Sequence, residues 1–409
     1  MSTADDFRLR AAALDTADPL GSFPARFVRT GDVRAYFDGN SLGRPVAAVA
    51  DRLAEFTRGA WGERLIRAWD EEWMDTPTAL GDELGRVVLG AAPGQTFVGD
   101  STTVLIYKLV RAAVDAAPAG RDELVVDTEN FPTDRFIVES IAAERGLTVR
   151  WIAPDPALGV TVDDVRAVVG ERTALVVLSH IAFKSAYIAD LPAITALVHD
   201  AGARILWDLC HSAGAVRIDL DAHGVDFAVG CTYKYLNGGP GAPAFAYVAS
   251  SIQDELRQPI PGWMGAANPF EMGPRYEPGA GIRRFISGTP SILAMIPMRA
   301  MIELIDEAGI DQIRAKSIQL TEYAIEFADD ILAPHGVTVA SPRDPAIRGS
   351  HVILEHPEMQ RVTAELWAEG IIPDFRRPQG LRIGLSPLST TYAELADGLV
   401  AVEAALTRG

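Results

Sequence analysis

The chain has 409 residues, 48% of them hydrophobic and 22% charged, with a formal net charge of −18. That length leaves room for two or three domains and a large core. The acidic excess argues against a protein that binds the phosphate backbone of nucleic acid, which needs a basic field. No apolar run is long enough to span a bilayer, and the opening MSTADDFRLR is acidic, unlike a secretory signal. The two cysteines, Cys210 and Cys231, show neither CxxC nor metal spacing. The expectation is a cytoplasmic enzyme with no nucleic-acid or membrane partner and no resident metal.

Residues 1–35 carry little signal and are expected to wrap over the fold. YFDGNSLGRP follows at 36–45: a short strand, a Gly/Asn turn and a proline opening a helix over 46–58. Trp61, Trp69 and Trp73 crowd one short span. From Phe97 a strand–helix rhythm sets in. Ser101, Thr102 and Thr103 precede an apolar helical pattern, where small hydroxyl residues cap the helix and its first N–H groups make an anion site. A strand at 123–126 runs into Asn130-Phe131-Pro132-Thr133-Asp134, with the proline at a helix start. Strands at 147–152 and 174–179, the second closing on Ser179, alternate with helices at 162–169 and 193–200.

The most informative stretch is 203–241. Its first apolar run, 204–207, closes on Asp208, with His211 three residues on; its second, 227–232, closes on Tyr233 and Lys234, ahead of Asn237-Gly238-Gly239-Pro240-Gly241. In an open α/β sheet, polar groups at the carboxyl ends of strands converge on the ligand crevice. An acid, an imidazole, a phenol and an amine should therefore face one site. The alternation from 97 to 248 predicts a mostly parallel sheet with helices on both faces. A Pro/Gly-rich segment at 258–281 holds Trp263, and Thr289 lies shortly after it. Helices at 300–308 and 313–331 then lead to a strand, a helix and a strand at 350–354, 360–369 and 381–385, a smaller C-terminal α/β domain. We expect residues 1–50 to join that small domain, 51–298 to form the large one and 299–409 the small one.

A lysine amine opposed by a strand-end carboxylate suits pyridoxal 5′-phosphate (PLP). The amine carries the cofactor aldehyde as a Schiff base, and the carboxylate pairs with the protonated pyridine nitrogen. Asp-Leu-Cys-His-Ser-Ala-Gly-Ala at 208–215 and Val-Asp-Phe-Ala-Val-Gly-Cys-Thr-Tyr-Lys-Tyr-Leu-Asn-Gly-Gly-Pro-Gly at 225–241, with YFDGNSLGRP and WGERLIRAW, resemble kynureninase of the bacterial type. The resemblance spans about Tyr36 to Leu388. It implies the aspartate aminotransferase plan (PLP fold type I, aminotransferase class V) and hydrolysis of L-kynurenine or its 3-hydroxy form to an anthranilate and L-alanine. It also implies roles. Lys234 anchors PLP and moves the Cα proton, Asp208 holds the ring nitrogen, and Tyr233 assists proton movement. Thr102 and Thr103 take the phosphate, Phe131 stacks on the ring, and Thr133, Asp134, Ser179 and His211 lie about the cofactor. Trp263 and Thr289 would reach the neighbouring subunit's phosphate in a homodimer with shared sites. Arg382, in Leu381-Arg382-Ile383-Gly384, would clamp the substrate carboxylate; Ser41 would lie near the substrate and Trp61 stack on its aryl ring.

Two stretches depart from that family's pattern. His180–Ala186 reads HIAFKSA where an aromatic followed by Thr-Gly is usual, and Ser389 replaces the aromatic after Pro-Leu. The rival readings are a PLP-dependent aminotransferase, a β-lyase on another amino acid, and a non-catalytic scaffold. A cysteine desulfurase would want a cysteine on a mobile loop, whereas Cys210 and Cys231 fall at strand ends.

Overall fold

The computed structural model describes residues 3–408. Its centre is a seven-stranded sheet built from β2 (Thr96–Gly99), β3 (Glu123–Asp127), β4 (Thr148–Ile152), β5 (Thr173–Ser179), β6 (Arg204–Asp208), β7 (Phe227–Gly230) and β8 (Ala244–Val248), in the order β2-β8-β7-β6-β5-β3-β4. The neighbours from β4 to β7 pair in parallel, and β8 runs against both β7 and β2. Strands buried on both faces need apolar residues at every position rather than at alternate ones. Accordingly Leu175, Val177, Leu206 and Phe227 enter one core, while Val176, Leu178, Ile205 and Ala228 enter the core on the other face. The chain has the PLP fold type I architecture expected of it, a large, mostly parallel α/β sheet with a second α/β unit.

That second unit has its own core. A four-stranded antiparallel sheet in the order β12-β13-β10-β9 comprises β9 (Thr338–Val339), β10 (His351–Glu355), β12 (Asp374–Arg376) and β13 (Gly380–Gly384). Beside it, β1 (Ala35–Tyr36) pairs in parallel with β11 (Ile371–Ile372). The N-terminal residues, unreadable from sequence, form a helix, Ala4–Ala17, capped by Thr3 through a reciprocal box with Asp6. Phe7 from that helix packs edge-on against Tyr323 and Phe327 at 5.4 and 4.9 Å.

One helix is longer than its pattern suggests, and the next starts and ends earlier. The helix expected at 300–308 begins at Ile292, with Pro297 inside it, because Met295, Met298 and Met301 give it a continuous buried face on the large sheet's core. The next spans Ile310–Phe327. Strand β12 was not expected: its three residues are polar or half-buried, and pairing with β13 alone defines it.

Candidate active site

The carboxyl ends of β5 and β6 lie side by side, with Ser179 in register with Asp208. Asp208 is buried, and its Oδ1 accepts the Cys210 N–H at 2.7 Å, a tight turn that aims the carboxylate out of the sheet end. The segment after β7 is folded by a second set of contacts. Gly238 N–H donates to the Thr232 carbonyl at 2.8 Å and Asn237 N–H to the Lys234 carbonyl at 3.0 Å. Asn237 itself adopts φ +47°, a left-handed conformation that asparagine tolerates, and its Nδ2 donates to the Arg44 carbonyl at 2.7 Å. Gly43 N–H donates to the Tyr233 carbonyl at 2.8 Å. The YFDGNSLGRP turn is thereby clamped onto the lysine-bearing loop.

Lys234 Nζ lies 3.0 Å from His211 Nε2 and 5.9 Å from the Phe131 ring centroid. Burial, with the neighbouring Lys234, His351 and arginine charges, holds His211 well below the usual histidine range. A neutral ring offers one acceptor nitrogen, and Nε2, the one facing the Lys234 amine, can take its hydrogen bond. Phe131 meets Phe183 edge-to-face at 5.5 Å, and its backbone is set by Asn130, whose Oδ1 accepts from Phe131 N–H at 2.8 Å and from Ser179 Oγ at 2.7 Å. Asp134 is buried at the start of the helix Pro132–Arg145. Burial, reinforced by Asp208 and Asp127, pushes its carboxyl well above the usual range, and burial pushes Asp127 up to about 7. Burial likewise raises the Tyr233 phenol.

On the small-unit side, Arg382 stands on β13. Its Nη1 donates to the Phe183 carbonyl at 3.0 Å and its Nη2 to Ser41 Oγ at 2.6 Å. The same Nη2 lies 2.7 Å from the Asp374 carboxylate, which is also 2.6 Å from Arg376 Nε.

These groups share one cleft of about 290 Å3, into which Ser41, Thr102, Thr103, Phe131, Thr133, Asp134, Ser179, Asp208, His211, Tyr233, Lys234 and Arg382 all open. Asn40, Ile181, Phe183, Cys210 and Arg376 line it too. Sequence reasoning gave none of these five a role, although Ile181 and Phe183 fall in the HIAFKSA departure, a loop expected to face the site. Trp61, Trp263 and Thr289 lie elsewhere. Trp61 is 49% exposed on the turn Thr57–Glu63, outside the cleft of its own chain. Trp263 is exposed between Trp69 and Phe270. Thr289 is exposed at a separate hollow with Asp100 and Gly241.

The cleft fits a pyridine ring bearing an aldehyde and a phosphate. Ser101 caps the helix Thr102–Asp115, so Thr102 and Thr103 present free helix-start N–H groups to an anion. Phe131 offers a ring face, Asp208 a buried carboxylate and Lys234 the amine, while Asp134 Oδ2 and His211 Nδ1 are buried polar atoms without partners. The volume is close to the lower bound for small-molecule sites, roughly 300 Å3.

Comparison with known proteins bears on the same geometry. The family model for the kynureninase C-terminal domain matches residues 313–402, the stretch that supplies Arg376 and Arg382. The chain is 39% identical to a kynureninase of Pseudomonas fluorescens over 98% of this chain and 94% of that one, and 38% identical to a kynureninase of Burkholderia pseudomallei over 96% and 94%. Among solved structures, a cysteine desulfurase from Thermococcus onnurineus superposes with a TM-score of 0.79 at 18% identity, covering 92% of this chain and 95% of that one. That likeness speaks for the fold. The identity to the two bacterial proteins runs nearly end to end and takes in both walls of the cleft, and on that ground the chain belongs to the kynureninase family.

Proposed function

We propose that this chain is a PLP-dependent hydrolase that cleaves the Cβ–Cγ bond of L-kynurenine, 3-hydroxy-L-kynurenine or both, giving the corresponding anthranilate and L-alanine. The observation that carries the reading is the shared cleft, where Lys234 and Asp208 from the large sheet face Arg382 from the small one. PLP, when bound, supplies an electron sink conjugated to the substrate's α-carbon. Lys234 would hold the cofactor through Nζ, and the same amine, once free, would move the proton at the substrate's Cα. His211, neutral and 3.0 Å from Nζ, accepts the lysine's hydrogen bond and orients the amine. Asp208 holds the hydrogen on the ring nitrogen. Arg382 would fix the substrate carboxylate and so hold the reacting Cα in one orientation. Tyr233, its phenol raised by burial, keeps a proton to donate.

The remaining assignments belong to the same proposal. Thr102 and Thr103 take the phosphate; Thr133, Asp134 and Ser179 border the ring. The protein works as a cytoplasmic homodimer in which Trp263 and Thr289 serve the neighbouring subunit. Among the described residues no helix is long and apolar enough to cross a membrane. The test is incubation of PLP-loaded protein with each kynurenine. Equimolar anthranilate and alanine are expected; transfer of the amino group to an added keto acid, without an anthranilate, overturns the reading in favour of an aminotransferase.

A further inference from the structure

The turn that follows β1 buries a polar side chain to which nothing above gives a role. Asn40 is 0% exposed, lines the cleft beside Ser41 and Arg382, and has no hydrogen-bond partner at Oδ1 or Nδ2. Long-range pairing puts it there. Phe37 N–H donates to the Ile372 carbonyl at 2.8 Å, and the Phe37 carbonyl accepts from Gly384 N–H at 2.6 Å. The chain then reverses, with the Ser41 and Leu42 amides both on the Asp38 carbonyl at 2.9 and 3.0 Å. The carboxamide is laid against Gly384: a Cβ built on that glycine would stand 1.9 Å from Asn40 Oδ1. A side chain at position 384 would evict Asn40, so the glycine of Leu-Arg-Ile-Gly has the space of a berth for this amide. Buried amides are nearly always hydrogen-bonded, since their lost hydration is otherwise uncompensated. One whose polar ends are both unpaired, in the wall of a ligand cleft, is matched by a ligand group.

The neighbours say which group. Two cations stand in this wall, Arg382 and Arg376. Two carboxylates balance them, with Asp374 at 2.7 and 2.6 Å from the pair and Asp38 at 3.5 Å from Arg382. An incoming carboxylate therefore meets a locally neutral cluster, and charge alone does not seat it. The donors it can use are N–H groups outside any hydrogen bond: Nε of Arg382 and of Arg376, both on guanidiniums already ion-paired to Asp374, and the amide of Asn40, which has no partner of any kind. A carboxylate offers only acceptors, and a neutral donor adds no charge for the two aspartates to compete for.

We propose that Asn40 seats the substrate's α-carboxylate, donating from Nδ2 alongside Arg382, and so selects amino acids whose carboxyl group is free. This rests on the reading of the cleft as an amino-acid site, and it adds to that reading a second, uncharged carboxylate ligand. The test uses the PLP-loaded protein and follows the visible absorbance of the bound cofactor during titration with L-alanine and with L-alaninamide, which differ only in the carboxyl group. The wild type should prefer alanine. Asn40→Asp, nearly isosteric but anionic, should cut that preference about tenfold or more, chiefly by weakening alanine. Asn40→Ala should cut it by a smaller factor, on the order of threefold. A preference ratio unchanged in both variants overturns the proposal, as does an equal loss of both ligands. If Asn40→Asp fails to retain cofactor, the ratio in Asn40→Ala decides by itself. Failure of the wild type to form an anthranilate would count against the hydrolase reading and leave this ratio free to judge Asn40.

Discussion

Lys234 Nζ and His211 Nε2 stand 3.0 Å apart in a pocket whose burial keeps the imidazole neutral, so the lysine has a fixed acceptor rather than a competing cation. Lys234→Ala should abolish borohydride-fixable attachment of the cofactor and lower turnover by on the order of ten-thousand-fold; turnover within tenfold of wild type would remove Lys234 from the chemistry. Arg382 is held by a carbonyl, a hydroxyl and a carboxylate at once. A point-charge ammonium cannot reproduce that planar fork, so Arg382→Lys should lower kcat/KM about 100-fold while leaving the cofactor spectrum unchanged. A third residue acts on stability. His180 is buried against Trp207, with ring centroids 6.0 Å apart, and burial lowers it from 6.5 to about 4. As pH falls, the unfolded chain takes up this proton before the folded one does. The contribution is therefore fully present above pH 6.5 and is lost toward pH 4. At about 1.4 kcal/mol per pH unit, His180→Gln should gain about 3 kcal/mol relative to wild type between pH 7 and 4, read from urea midpoints. A pH-independent difference would contradict it.

At the scale of elements, the lysine loop and the β1 turn are one structure. A Cβ on Gly43 would stand 2.4 Å from the Lys234 carbonyl oxygen and 2.5 Å from Asn237 Cγ, and neither neighbour is a loose side-chain end. Gly43→Ala should push the lysine loop away, lowering kcat about 100-fold, since small misplacements cost that much; a variant with wild-type kcat would show the loop to be compliant. The same contact explains what could be read in advance. Asp208 and Lys234 were legible because local apolar runs announce buried strands and polar residues end them. Thr102 and Thr103 were legible because capping chemistry is local. Asn40 and Arg376 were not. Asn40 sits in a Gly/Asn turn that composition assigns to solvent, and its burial comes from the pairing of β1 with β11 and from the Phe37–Gly384 contact, more than 300 residues away. Arg376 is a polar residue on a three-residue strand with no apolar run to mark it. Trp61, an aromatic in a tryptophan-rich span, is held on the outside of its own chain by its turn.

Across the whole molecule, the N-terminal segment contributes to both cores and so ties the two units to each other. Leu20, Phe23, Phe27 and Val46 belong to the large sheet's core, and Phe7, Ala11, Ala35 and Phe37 to the small unit's. The helix Ile292–Ala308 packs on the large core, so the packing changes hands near Gly309, past residue 298. Two buried ion pairs pin the segment to the C-terminal third: Asp18 to Lys316 at 2.7 Å and Arg44 to Glu394 at 2.6 Å. Glu394 also accepts Tyr36 N–H at 2.8 Å, so a single carboxylate holds both ends of the stretch that carries Asn40 and Ser41 to Arg382. Removing one partner of a buried pair leaves the other charge uncompensated, at a cost of about 3–5 kcal/mol. Glu394→Ala should therefore lower stability by about that amount. Because the β1 turn, rather than the lysine loop, loses its anchor, it should also raise KM for kynurenine more than it lowers kcat. Steady-state kinetics below the variant's unfolding temperature separate the two. A fall in kcat with KM unchanged would mean that Glu394 supports the fold without placing the carboxylate seat.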